Sequence, residues 1–121
     1  MKITILILII MMTGCRVPNE TTIKTYKKAQ LYKVWEFDNT KVIGFSNVSG
    51  GLIRMAITDK DLQTSFMATY GLEREAPNVF NIMPMEIADY YYSFEFTSDT
   101  TAIFKQIYGG YELEYTLDKI L

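Results

Sequence analysis

Aromatic and β-branched residues alternate with polar ones through the last third of the chain, the period of two expected of half-buried strands. Tyr108-Gly109-Gly110-Tyr111 reads as a two-residue hairpin, because Gly-Gly accepts the positive φ angles of a type I′ turn. Pairing Tyr108 with Tyr111 sets Phe104 opposite Tyr115, Gln106 opposite Leu113 and Lys105 opposite Glu114. An aromatic pair on one face and opposite charges on the other are mutually consistent. The preceding strand, Tyr90 to Thr97, joins through Ser98-Asp99-Thr100. Only a three-residue loop keeps Phe94 and Phe104 on one face, with Phe96 beside Ala102. The result is a three-strand meander whose inner face carries Tyr92, Phe94, Phe96, Phe104, Leu113, Tyr115 and Leu117. The outer face mixes Tyr91, Ile103 and Ile107 with Ser93, Glu95, Lys105, Glu112 and Glu114, and the three apolar residues form a candidate interaction face.

The N-terminal half predicts a second meander. Leu31 to Phe37 reads as a strand, Asp38-Asn39 as a turn and Thr40 to Ser46 as the return strand, with Glu36 opposite Lys41 and Trp35 opposite Val42. Ser49-Gly50-Gly51 turns the chain into a third strand, Leu52 to Thr58. From Thr58 to Tyr70 two periods compete. Leu62, Phe66 and Tyr70 recur every four residues, and Thr58 with Asp61 mimics a helical capping box. Leu62, Thr64, Phe66, Ala68 and Tyr70 also alternate, and Thr64, Ser65 and Thr69 are poor helix formers, so a strand is preferred. Two prolines make Glu73 to Pro84 an irregular loop. The fold class is therefore mostly β: a small antiparallel barrel or sandwich of two meanders, with at most one short helix.

The first 28 residues follow a different pattern. Lys2 precedes an apolar run, Ile3 to Met12, broken only by Thr4, and polar residues resume after Cys15. A charged start, a short apolar core and small residues at its exit describe a secretory signal. The run is about half the roughly 20 residues a membrane span needs. Met12-Thr13-Gly14-Cys15 resembles the lipobox of bacterial lipoproteins, with Met12 where leucine is commoner. The resemblance implies that Cys15 receives a diacylglyceryl group and becomes the mature N-terminus. Arg16, where aspartate would mean inner-membrane retention, implies the outer membrane in a host that has one. The organisation expected is a signal peptide over 1–14, a lipid-anchored tether over 15–28 and a single β domain over 29–121. Lys24, Lys27 and Lys28 fall within the tether.

Composition removes many function classes. Lysine and arginine number 12 against 14 aspartates and glutamates, a net charge of -2 that argues against nucleic-acid binding. The chain has no histidine and one cysteine, which excludes His-dependent triads, His/Cys zinc sites and an internal disulfide. No cofactor is called for. Asp59-Lys60-Asp61 opens like a calcium loop, but Thr64 and Tyr70 stand where glycine and glutamate are required. Ser49-Gly50-Gly51 lacks the lysine of a phosphate-binding loop. Glu112 and Glu114 lie about 7 Å apart by strand rise, a spacing that glycosidases use, yet alternating glutamates on a solvated strand are ordinary. No catalytic residues are assigned.

In size, signal and strand pattern the chain resembles the small lipocalin-like and lysozyme-inhibitor lipoproteins of bacteria. The inhibitors' cysteines and Ser-Gly-x-x-Tyr segment are not reproduced, since Gly51-Leu52-Ile53 follows Ser49-Gly50. The expectation is a non-catalytic envelope lipoprotein, held to the membrane through Cys15, whose domain binds a partner protein or a small apolar ligand. Competing expectations are a structural lipoprotein docked permanently in an envelope complex and a phage- or plasmid-carried superinfection-exclusion lipoprotein.

Overall fold

A computed structural model describes residues 23–121. The signal, the lipobox and Cys15 lie outside the described residues. A single helical turn, α1 (Lys28–Leu31), precedes eight antiparallel strands. These are β1 (Val34–Phe37), β2 (Lys41–Asn47), β3 (Leu52–Asp59), β4 (Thr64–Ala76), β5 (Val79–Pro84), β6 (Tyr90–Phe96), β7 (Thr101–Tyr108) and β8 (Glu112–Lys119). Each strand pairs with the next, and β8 returns to β1 through Trp35–Lys119 and Glu36–Asp118. The sheet is a closed barrel, which decides between barrel and sandwich.

The C-terminal meander has the register read from its sequence. Phe94 faces Phe104, Phe96 faces Ala102, Phe104 faces Tyr115, Lys105 faces Glu114 and Gln106 faces Leu113. The Ser98 hydroxyl closes the three-residue loop by accepting the Thr100 and Thr101 N–H groups at 3.1 and 3.0 Å. At the next turn the Tyr108 N–H donates to the Tyr111 carbonyl at 2.9 Å. Gly109 and Gly110 do not take the positive φ expected of them; Gly50 and Gly51 do, at 59° and 81°.

Four further expectations are corrected. First, the β1–β2 hairpin turns through three residues instead of two, so Trp35 pairs with Ile43, Glu36 with Val42 and Phe37 with Lys41. Asp38 stands at φ 46°, and its carboxylate accepts the Thr40 N–H and hydroxyl at 3.0 and 2.9 Å. This register buries Ile43 and Phe45, where the two-residue turn would have pointed Val42, Gly44 and Ser46 inward. Second, Leu31 does not begin a strand. It ends α1, is fully buried, and its carbonyl accepts the Trp35 indole N–H at 3.4 Å.

Third, Glu73 to Pro84 is not a loop but the end of β4, a tight turn at Pro77-Asn78, and β5. Neither proline costs a ladder bond, because Pro77 sits in the turn and Pro84 at the last β4–β5 pair, opposite Tyr70. A bulge between Arg74 and Ala76 bends β4 into this turn. Fourth, Thr58 to Tyr70 is a hairpin rather than one strand. The Asp59 carboxylate accepts the Asp61 and Leu62 N–H groups, which accounts for the calcium-loop-like start as an ordinary turn.

The N-terminal segment closes one end of the barrel. Tyr26, placed by sequence in the tether, is buried and stacks on Phe96 with ring centroids 4.3 Å apart. Its N–H donates to the Pro77 carbonyl at 2.9 Å, and Arg74 donates to the Tyr26 and Pro77 carbonyls at 2.6 and 3.0 Å. Lys24 pairs with Asp99 at 2.6 Å. Beneath this cap, Trp35 packs edge-on against Phe94 and Phe96. Phe80, Ile53, Met55, Ile82 and Leu117 complete a core with no solvent exposure.

Candidate functional site

The other end of the barrel is open, since among the described residues only turns stand there. The turns 38–40, 60–63, 85–89 and 109–111 ring this mouth. Alternation along β1, β3, β6, β7 and β8 sends Phe37, Ile57, Tyr92, Phe104, Gln106 and Tyr115 into it, where they line a cavity of about 460 Å³. Ligand pockets span roughly 300–1,000 Å³ and are mostly apolar with a few placed polar groups. Here Tyr92 stacks on Phe104 at 5.3 Å and Phe37 meets Tyr115 edge-on at 5.2 Å. The Gln106 amide is the polar group on the wall, and Asp38 and Lys41 stand at the rim. Lys41 lies 3.5 Å from Asp38 and 3.7 Å from Asp59, so its charge is matched before any ligand arrives.

Two phenols at the cavity are shifted by burial. Burial raises the Tyr70 hydroxyl well above the ordinary phenol value, and the neighbouring Tyr92 hydroxyl adds to the shift. Burial likewise raises Tyr92, although its contacts with Tyr70 and Gln106 offset part of the effect. These groups donate and accept hydrogen bonds without carrying charge near neutral pH. Among the described residues no three Asp, Glu or Cys side chains are grouped to hold a metal ion. Such an arrangement can bind, sort by shape and exclude water.

A second opening adjoins the first. β4 pairs with β3 along its whole length from Thr64 to Gly71, but with β5 only from Tyr70 onward. Beside the unpaired stretch, Phe66, Ala68, Tyr70 and Tyr90 form the floor of another cavity of about 460 Å³, walled by Pro84, Met85, Glu86, Ile87 and Ala88. Phe66, Met85 and Ile87 are exposed there, and Met67, next to Phe66 along β4, is exposed too.

The face singled out by sequence lies on the outer wall of the barrel, away from both cavities. Tyr91 and Ile107 are cross-strand partners on the outer wall, while Ile103 lies opposite Glu95 with Lys105 between it and Ile107. All three are half-buried by their neighbours. Glu112 and Glu114 are exposed on that wall, opposite Ile107 and Lys105, and line neither cavity. Sequence reasoning missed the mouth residues Phe37, Ile57 and Gln106 and the cluster Phe66, Met67, Met85 and Ile87. Apolar side chains between Pro84 and Asp89, in a segment too short and irregular to bury them, were the available signal.

Fold and site together define an open-mouthed, eight-stranded antiparallel β-barrel with an aromatic interior. Comparison with known proteins finds no family model and no curated protein that matches this chain.

Proposed function

We propose that the chain is an exported, non-catalytic binding protein, lipid-anchored through Cys15, whose barrel holds a small and largely apolar ligand in its open mouth. The observation that carries this reading is the cavity of about 460 Å³ between Phe37, Ile57, Tyr92, Phe104 and Tyr115, open at one end of a barrel firmly capped at the other. Its single amide and its phenol hydroxyls would orient a ligand with one polar end, and the aromatic walls would hold the rest. The lipobox resemblance supports the anchor, and the chain's sole cysteine falls within it.

Displacement of an apolar naphthylamine fluorophore by fatty acids of graded chain length tests the binding. Saturable uptake should be lost in Ile57→Trp, which fills the cavity from a half-buried wall position. Equal uptake by that variant, with its fold intact, would remove the cavity from consideration. Mass analysis of the chain made in a bacterial host, against Cys15→Ala, tests the anchor: the unsubstituted chain should carry a diacylglyceryl mass increment and partition with membranes.

A further inference from the structure

We infer that the unpaired stretch of β4 is a docking edge for an extended segment of a partner polypeptide, apolar on one face and basic on the other, which adds to the barrel as a strand. This inference concerns the slot beside β4 and stands apart from ligand binding in the central cavity.

The backbone carries the argument. The Leu72 N–H donates to the Gly51 carbonyl, so even-numbered residues of β4 turn their amides and carbonyls toward β3. Odd-numbered residues face the other way. Gly71 and Glu73 meet Met83 and Asn81 of β5, whereas Ser65, Met67 and Thr69 have no strand opposite them. None of these three takes part in a backbone hydrogen bond to the 85–89 turn. Three N–H groups and three carbonyls thus line one side of a slot in an otherwise closed barrel. Soluble barrels normally remove such edges, or guard them with lysine, proline or a covering loop. Residues 64–69 contain no charge and no proline.

The slot also supplies what strand addition needs beyond main-chain bonds, namely pockets for alternate side chains. Phe66, Ala68 and Tyr90 form an apolar floor under one face of an added strand. Met67, Met85 and Ile87 stand exposed at its borders, Met67 at 61% and Met85 at 60% of their full accessibility. Glu86 is the only charged residue of the lining and Asp89 follows it in the same turn, so the outward face of the incoming strand meets negative charge. This complementarity selects a basic partner segment over an acidic one.

The test uses the whole chain and synthetic peptides of alternating valine and lysine. Amide hydrogen exchange should be fast at Ser65, Met67 and Thr69 in the free chain and slow at these positions once the peptide is added. Peptides N-methylated on the face toward β4, or with glutamate in place of lysine, should give no protection. Met67→Pro provides the matching variant: proline is tolerated in a strand where the N–H faces outward from an edge, so the barrel should fold while docking is lost. Slow exchange at these amides in the free monomer would overturn the proposal, as would binding indifferent to N-methylation. Protection that rises with protein concentration alone, together with a dimer in sedimentation velocity, would assign the edge to a second copy and overturn the partner strand.

Discussion

At the capped end of the barrel Trp35, Phe80, Phe96 and Leu117 are fully buried or nearly so, and Tyr26 and Leu31 are folded down over them. At the mouth, Leu62, Phe66, Met67, Met85, Ile87 and Tyr111 face solvent. Charge differs as well. Acidic side chains gather at the mouth, where Asp38, Asp59, Asp61, Glu86, Asp89 and Glu112 stand with Lys41 and Lys60, whereas the capped end mixes Lys24, Lys27, Lys28, Lys33 and Arg74 with Glu73, Glu75 and Asp99. One set of strands therefore carries a core at one end and an open, acidic, apolar-rimmed surface at the other. Antiparallel barrels permit this because a strand is long enough to pass through both regions, so the residues that stabilise need not be those that bind.

The sharpest way to break this division is to truncate a side chain at each end. Trp35→Ala should cost about 3–5 kcal/mol, the range for removing a fully buried aromatic group. Phe66→Ala, at 52% exposure, should change stability by no more than about 0.5 kcal/mol. Urea denaturation of both variants decides the matter, and comparable losses would mean that the mouth is part of the core. Next in size is Tyr26→Ala, which removes the stack on Phe96 and opens the cap. A loss of about 2–3 kcal/mol is expected from the buried ring, with faster hydrogen exchange at Phe96 and unchanged exchange at the mouth.

Titration sharpens the comparison further. Tyr70 and Tyr92 have raised values in the folded chain because burial penalises their anions. The folded state then holds protons that the unfolded state releases, so their contribution is complete below the ordinary phenol value of 10.0 and is lost as pH rises through the folded values. The urea midpoint should fall progressively above about pH 10, with tyrosinate absorbance appearing as the barrel opens. Without histidine, the chain should hold a nearly constant midpoint from about pH 6 to 9. The smallest effect is expected at Asp38, whose carboxyl is held below its usual 3.8 by the Thr40 N–H and hydroxyl. That contribution is present above the ordinary value and lost as pH falls through the folded one, so Asp38→Asn, which tolerates the same positive φ, should lower the midpoint slightly at neutral pH and less in strong acid.

The sequence was most legible where two faces of a strand differ sharply in polarity. Requiring Phe94 and Phe104 to share a face selected the Ser98–Thr100 loop and with it the register of three strands. The same requirement, applied to Ile43 and Phe45 against Gly44 and Ser46, would have selected the three-residue turn at Asp38; matching Glu36 with Lys41 by charge misled instead. Surface charge pairs are weak constraints, worth about 0–1 kcal/mol, and a buried isoleucine outweighs them. Prolines hid β5, since a proline at a turn or strand end is compatible with a ladder that the composition of Glu73 to Pro84 disguised. The mouth was illegible for another reason: Phe37, Ile57 and Gln106 come from three strands that only barrel closure brings around one opening.

The clamp on Tyr26 also has a mechanical side. An anchor at Cys15 would pull on the chain where it first meets the barrel, and that point is held by the Lys24–Asp99 pair, the Tyr26 N–H to the Pro77 carbonyl and the Arg74 bond to the Tyr26 carbonyl. These links reach the β4–β5 and β6–β7 turns together, so tension spreads over two hairpins instead of peeling α1 and β1 away one bond at a time. Load entering from such an anchor would reach these two turns first, at the end of the barrel away from the mouth.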